Sequence, residues 1–120
     1  MKKTVVFDFD GVIHSYTSGW KGPEVIQDPP VPGIREAIAD IRRSGYEVVV
    51  VSTRCANRYG LLAIKNYLDQ HDIQVDAISA EKPPAICYID DRAICFDGHP
   101  ETLLHQIQEF KPWNRKETEQ

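Results

Sequence analysis

Residues 1–12 read MKKTVVFDFDGV, and the fold is decided there. Thr4 to Phe9 is a short apolar run rich in Val and Phe, the pattern of a buried strand. Asp8 and Asp10 stand one residue apart at its end, and Gly11 follows. Side chains alternate faces along a strand, so both carboxylates are expected at one site. Two like charges so close oppose each other unless a shifted pKa or a cation relieves them. A hard divalent cation with oxygen ligands, such as Mg²⁺, meets that need. Taken alone, the pair is equally a solvated turn after an edge strand, and later stretches decide between the two.

The chain's 120 residues make one domain, with enough length for a core and little for a second lobe. A net charge of −4 argues against the whole chain binding nucleic acid or a membrane electrostatically. The N-terminus has two lysines but no long apolar run, so no secretory signal is expected. No apolar run approaches the length of a transmembrane helix. Cys55, Cys87 and Cys95 lack a zinc-type spacing, and Cys87 and Cys95 lie in apolar runs, which predicts buried thiols. Together these features predict a reducing cytoplasm.

From His14 to Pro32 the chain is rich in Gly and Pro, with Tyr16 and Trp20 among small polar residues. This predicts a flap or loop over about 14–32, and structureless loops of this length are usually functional. Helical spacing begins after Gly33, with Ile34, Ala37, Ile38 and Ile41 forming one apolar stripe and Gly45 placed to end the helix. Tyr46 to Val51 is a β-branched run suited to a central parallel strand. A second helix is predicted from about Asn57 to Gln70, its inner face Leu61, Ile64, Tyr67 and Leu68. Short strands are predicted at Val75–Ser79, at Ala85–Ile89, which reads as buried, and at Ala93–Phe96. Pro100 suits the first turn of a last helix that buries Leu103, Leu104 and Ile107. Residues 1–112 form the predicted domain and 113–120 a polar tail, with Trp113 able to pack back. Alternating strands and helices imply an α/β fold. It is a three-layer Rossmann-like parallel sheet with helices on both faces, and ligands bind at the carboxyl ends of its strands.

At those ends stand Asp8 and Asp10, then Ser52, Thr53 and Arg54, then Asp90 and Asp91, with Lys82 just before the last of these strands. Each has a bland explanation as a cap, turn or solvated charge; all of them at one sheet edge is a different matter. The set resembles the haloacid dehalogenase-like phosphohydrolase superfamily. VVFDFDGVIH at 5–14 matches its DxDG signature, VVVVSTR at 48–54 its Ser/Thr after a hydrophobic strand, and Lys82 with CYIDDRA at 87–93 its lysine and acidic pair. One departure is that Lys82 precedes Asp90 by only eight residues, where many members place a whole helix.

The resemblance implies a Mg²⁺-dependent phosphohydrolase acting on a phosphorylated substrate whose identity stays open. Asp8 is implied as the nucleophile and Asp10 as the general acid and base. Ser52 and Lys82 are implied as catalytic partners of the phosphoryl group. The implied metal ligands are Asp8, the Asp10 backbone carbonyl, Asp90 and Asp91. An aspartate at the position of Asp10 goes with phosphate-ester hydrolysis rather than dehalogenation. Thr53, Arg54 and His14 are the expected substrate contacts, with Arg54 pairing a second anionic group. Tyr16, Trp20 and Lys21 are further candidates on the flap. The flap is too short for a folded cap, so a capless, open site is expected. By family analogy such sites meet large substrates or a cap from a neighbouring subunit, as in a homo-oligomer. The alternatives are a non-catalytic phosphate- or metal-binding module, or a phosphatase for nucleic-acid ends or phosphoproteins. For nucleic-acid ends, Lys111, Arg115, Lys116 and Trp113 offer a small basic-aromatic patch.

Overall fold

The computed structural model describes residues 2–113. Most of the predicted tail, Arg115 and Lys116 included, lies outside the described residues. One sheet of four parallel strands forms from β1 (Thr4–Asp8), β2 (Glu47–Val51), β3 (Ala77–Ser79) and β4 (Cys87–Ile89), in the order β3-β2-β1-β4. Helix α1 (Ile34–Arg43) joins β1 to β2, α2 (Arg58–Gln70) joins β2 to β3, and α3 (Leu103–Glu109) follows β4. This is the expected α/β Rossmann-like architecture. Among the described residues no helix is long and apolar enough to cross a membrane.

Helix α1 stops at the expected glycine. Gly45 has φ of 96°, its N–H donates to the Arg42 carbonyl, and the Tyr46 N–H donates to that of Ile41. This is a Schellman cap, which glycine's freedom at positive φ allows. Helix α2 starts at an Asn57 cap whose side-chain oxygen accepts the N–H groups of Tyr59 and Gly60. Gly60 is required by packing: a Cβ there would come within 2.2 Å of the Arg54 carbonyl oxygen.

Both long helices cover one sheet face. Val5 and Phe7 of β1 with Val48 and Val50 of β2 pack with Ile38 of α1 and Ile64, Tyr67 and Leu68 of α2. Right-handed crossovers stepping from β1 to β2 to β3 in one direction put both helices on the same side. The return from β3 to β4 must pass back across β2 and β1. Residues 80–86 make that return with no helix, and Ala85 packs on Val6, Val49 and Val51 of the opposite face. The second covering layer is therefore an extended strap.

The C-terminal part departs from expectation. The 93–96 stretch forms no strand. Strand β4, expected to be buried, is an exposed edge, because β1 flanks it on one side only. Helix α3 buries none of its residues, and Leu104 and Ile107 are exposed. Cys87 and Cys95 are likewise exposed, not buried thiols, because the runs that carry them lie on this uncovered part; Cys55 is half-buried.

Candidate active site

The strand register gathers the site. Asp8 pairs with Val51, so Ser52 follows one step beyond it; Phe7 pairs with Ile89, so Asp90 stands level with Asp8. One ligand oxygen from each of Asp8, Asp90 and Asp91 lies within 4.8 Å of the others. Burial, then the charge of Asp90, then the contact with Asp91 push the Asp8 carboxyl up to about 7. Burial also raises Asp91, which shares a hydrogen bond with Asp8. Three half-buried carboxylates this close form an all-oxygen donor set of the kind a hard divalent cation fits. Gly11 makes the cluster sterically feasible: a Cβ on it would come within 2.0 Å of Asp91 Oδ2.

Lys82 reaches this cluster from the strap. Its Nζ is 3.7 Å from Asp90 Oδ2 and 5.4 Å from the centre of the Tyr88 ring. Val6, Asp8, Val51, Lys82, Tyr88, Ile89 and Asp90 line one small cavity. A larger groove, lined by Lys2, Arg35, Arg42 and Tyr46 among others, lies at the amino ends of the strands. Its Arg35 and Arg43 ion pairs are exposed, and the carboxylate cluster lies at the smaller cavity, which is therefore the candidate site. Ser52 is buried at the end of β2, and its Oγ accepts the Arg54 N–H at 3.1 Å. Its own hydroxyl proton remains to be donated. Thr53 is exposed in the 3₁₀ turn that follows (Thr53–Ala56).

Asp10 does not join the carboxylate cluster. Strand β1 ends at Asp8 and the chain bends at Phe9, whose carbonyl accepts the N–H groups of Val12, Ile13 and His14. The alternation that would have aligned Asp10 with Asp8 stops there. The Asp10 carboxylate instead accepts Arg54 Nε–H at 2.9 Å, Arg54 Nη2–H at 3.1 Å and His14 Nδ1–H at 2.8 Å. Burial raises its pKa, but the hydrogen bonds of His14 and Arg54 outweigh burial and hold the carboxyl below its usual range.

Arg54 and His14, expected as substrate contacts, both bond Asp10. Arg54 is 1% exposed. Its Nη1 donates to the Gly22, Pro23 and Val25 carbonyls, which ties the flap to Asp10 and leaves little for an external anion. His14 is buried, and its Nε2 accepts the Asp28 N–H at 3.2 Å, which fixes the ring proton on Nδ1.

Asp28 was not singled out from the sequence, although it organises the flap. Its carboxylate accepts Ser18 N–H and Oγ–H at 2.8 and 2.6 Å, and its carbonyl accepts the Tyr67 hydroxyl at 2.9 Å. Nothing local marks it, because its partners come from the start of the flap, His14 and Ser18, and from α2, Tyr67. Trp113 does pack back, its Nε1–H donating to the Gly11 carbonyl at 2.8 Å.

No protein-family model matches the chain, and no curated protein is detectably similar to it. Solved structures do resemble it. A chain of the Pnkp1/Rnl/Hen1 complex aligns over 94% of this chain with a TM-score of 0.52 and 17% identity, a likeness of fold. A D,D-heptose 1,7-bisphosphate phosphatase from Burkholderia thailandensis aligns over 65% of the chain with a TM-score of 0.40 and 27% identity. The chain covers 36% of the first and 52% of the second.

Proposed function

We propose that the chain is a phosphohydrolase of the haloacid dehalogenase-like superfamily. It cleaves a phosphate monoester through an aspartyl-phosphate on Asp8, with Mg²⁺ as cofactor. The observation that carries this is the carboxylate cluster of Asp8, Asp90 and Asp91 at the carboxyl ends of β1 and β4, with Lys82 beside it.

Asp8, Asp90 and Asp91 would hold the ion, which when bound neutralises the cluster and draws charge from the phosphoryl oxygens. An Asp8 carboxylate oxygen forms the bond to phosphorus as the bond to the leaving oxygen breaks. Asp10 gives that oxygen a proton, then takes one from the water that attacks the phospho-aspartate, which regenerates Asp8 and releases phosphate. Arg54 and His14 hold Asp10 in place and depress its pKa. A phosphate dianion arriving nearby raises that pKa again by like-charge repulsion, which brings Asp10 towards the protonated form it needs as an acid. The Ser52 hydroxyl donates to a phosphoryl oxygen, and the Lys82 ammonium offsets the charge that gathers there.

Hydrolysis of a generic aryl phosphate with Mg²⁺ tests this directly. Wild-type protein is expected to turn over, and Asp8→Asn to fall to background. Undiminished turnover by Asp8→Asn would remove the nucleophile.

A further inference from the structure

Two exposed tryptophans sit against the loop after β1, Trp20 through Arg54 and Trp113 directly. Trp20 lies over the Arg54 guanidinium, whose central carbon is 4.7 Å from the ring centroid, and Arg54 grips both oxygens of Asp10. Trp113 is held through its Nε1–H to the carbonyl of the next residue, Gly11. Yet the two residues are 53% and 63% exposed. Burial therefore does not explain either one. Each is fixed at one edge or face and leaves apolar ring surface in water.

The flap that carries Trp20 is pinned and does not act as a gate. Three of its carbonyls bond Arg54. Ser18 and His14 both bond Asp28, which is itself fastened to Tyr67 of α2. A ring held this way loses little further freedom when a ligand stacks on it, so stacking is favoured by preorganisation. Trp20 meets Asp10 only through Arg54, whose edge bonds the carboxylate while its central carbon lies over the indole. A ring bonded directly to the leaving oxygen would fall at Asp10 itself. A ring separated from the phosphate by a spacer the size of a sugar would reach the indole.

We propose that Trp20 and Trp113 form an aromatic subsite that stacks a flat ring carried beyond the leaving oxygen, which makes nucleobase-bearing phosphate esters the substrate class. This rests on the phosphohydrolase reading above. Stacking on aromatic side chains tolerates any base, because every base offers a π-face.

The test compares kcat/KM with Mg²⁺ for a nucleoside monophosphate, an oligonucleotide ending in a 3′-phosphate, glycerol phosphate and phosphotyrosine. The nucleobase-bearing esters should be preferred over glycerol phosphate by about tenfold or more, and Trp20→Leu should erase the preference through KM. The two nucleobase arms distinguish a free nucleotide from a strand end. A second readout needs no turnover. The chain has two tryptophans, so Trp20→Phe and Trp113→Phe each leave one fluorescent reporter. Adenosine should quench both. No quenching in either variant, equal kcat/KM for glycerol phosphate and the nucleobase esters, or a preference for phosphotyrosine overturns the subsite. Quenching by adenosine in a protein that hydrolyses none of the four esters sustains the subsite and overturns the phosphohydrolase.

Discussion

Residues 2–79 and residues 80–113 have similar apolar patterning and different fates. In the first stretch Ile38 and Ile64 carry helical stripes into a closed core, where each is at most 1% exposed. In the second, Leu104 and Ile107 sit on a comparable stripe and are exposed. Periodicity tells which face of a helix is apolar; topology decides whether a surface arrives to cover it. Helices α1 and α2 are pinned between successive parallel strands. Helix α3 follows the last strand of the described sheet, and no crossover presses it down.

The largest effect expected from this contrast is on stability. Ile64→Ala should cost about 2–5 kcal/mol in urea unfolding. Leu104→Ala and Ile107→Ala should stay within about 0.5 kcal/mol. A cost for Ile107→Ala equal to that of Ile64→Ala would mean that the α3 face is covered in solution.

A second test works where the two stretches meet, since Asp8 comes from one and Asp91 from the other. The folded protein holds a proton on Asp8 up to about pH 7, whereas the unfolded chain releases it near 3.8. This contribution is full below the unfolded value and is lost as pH rises through the folded one. Asp91, raised as well, acts in the same direction. The depressed carboxyls of Asp10, Asp28 and Asp76 act oppositely, but below their ordinary value of 3.8. In chelator, the thermal midpoint should therefore fall between about pH 5 and pH 8, with Mg²⁺ reducing the drop and Asp8→Asn flattening it. A metal-free midpoint that climbs across this range would contradict the clustering of the two carboxylates.

The smallest effect is chemical. Cys87 and Cys95 are exposed, and Cys55 is half-buried with its thiol raised by burial. A thiol reagent should modify two groups quickly in the native protein and Cys55 slowly until denaturant is added. Fast modification of all three would erase the difference in burial.

Much of the first stretch was legible because its signals are local. A β-branched run, a stripe of Ile and a capping Gly45 or Asn57 each act within a few residues, and the structure places β1, β2, α1 and α2 within a residue or two of expectation. The cluster of Asp8, Asp90 and Asp91 was legible at longer range because strand order puts strand ends together. The environment of Asp10 was not. Its bidentate partner Arg54 is 44 residues away and reaches it through a bend that ends the strand's alternation. His14, four residues on, was expected near the site and bonds Asp10 there, its other ring nitrogen taken by the Asp28 N–H. The exposure of α3 and β4 was illegible for a different reason: an apolar face in sequence carries no information on whether its cover exists.

The strap over 80–86 has a consequence for how firmly the positive charge is held. Pro83 and Pro84 have no N–H to give; the backbone donors around them are Glu81, to the Ser79 hydroxyl, and Ile86, to the Thr4 carbonyl, and the Pro83 carbonyl accepts the Tyr88 hydroxyl. Amide protons here should exchange with solvent far sooner than those of β1 and β2, because local opening breaks so few bonds. Lys82 thus rides on a segment with few backbone hydrogen bonds, while Asp8 ends a strand paired on both sides. The proposed nucleophile is anchored in the sheet, and the cation beside it is carried by the more sparsely bonded of the two segments.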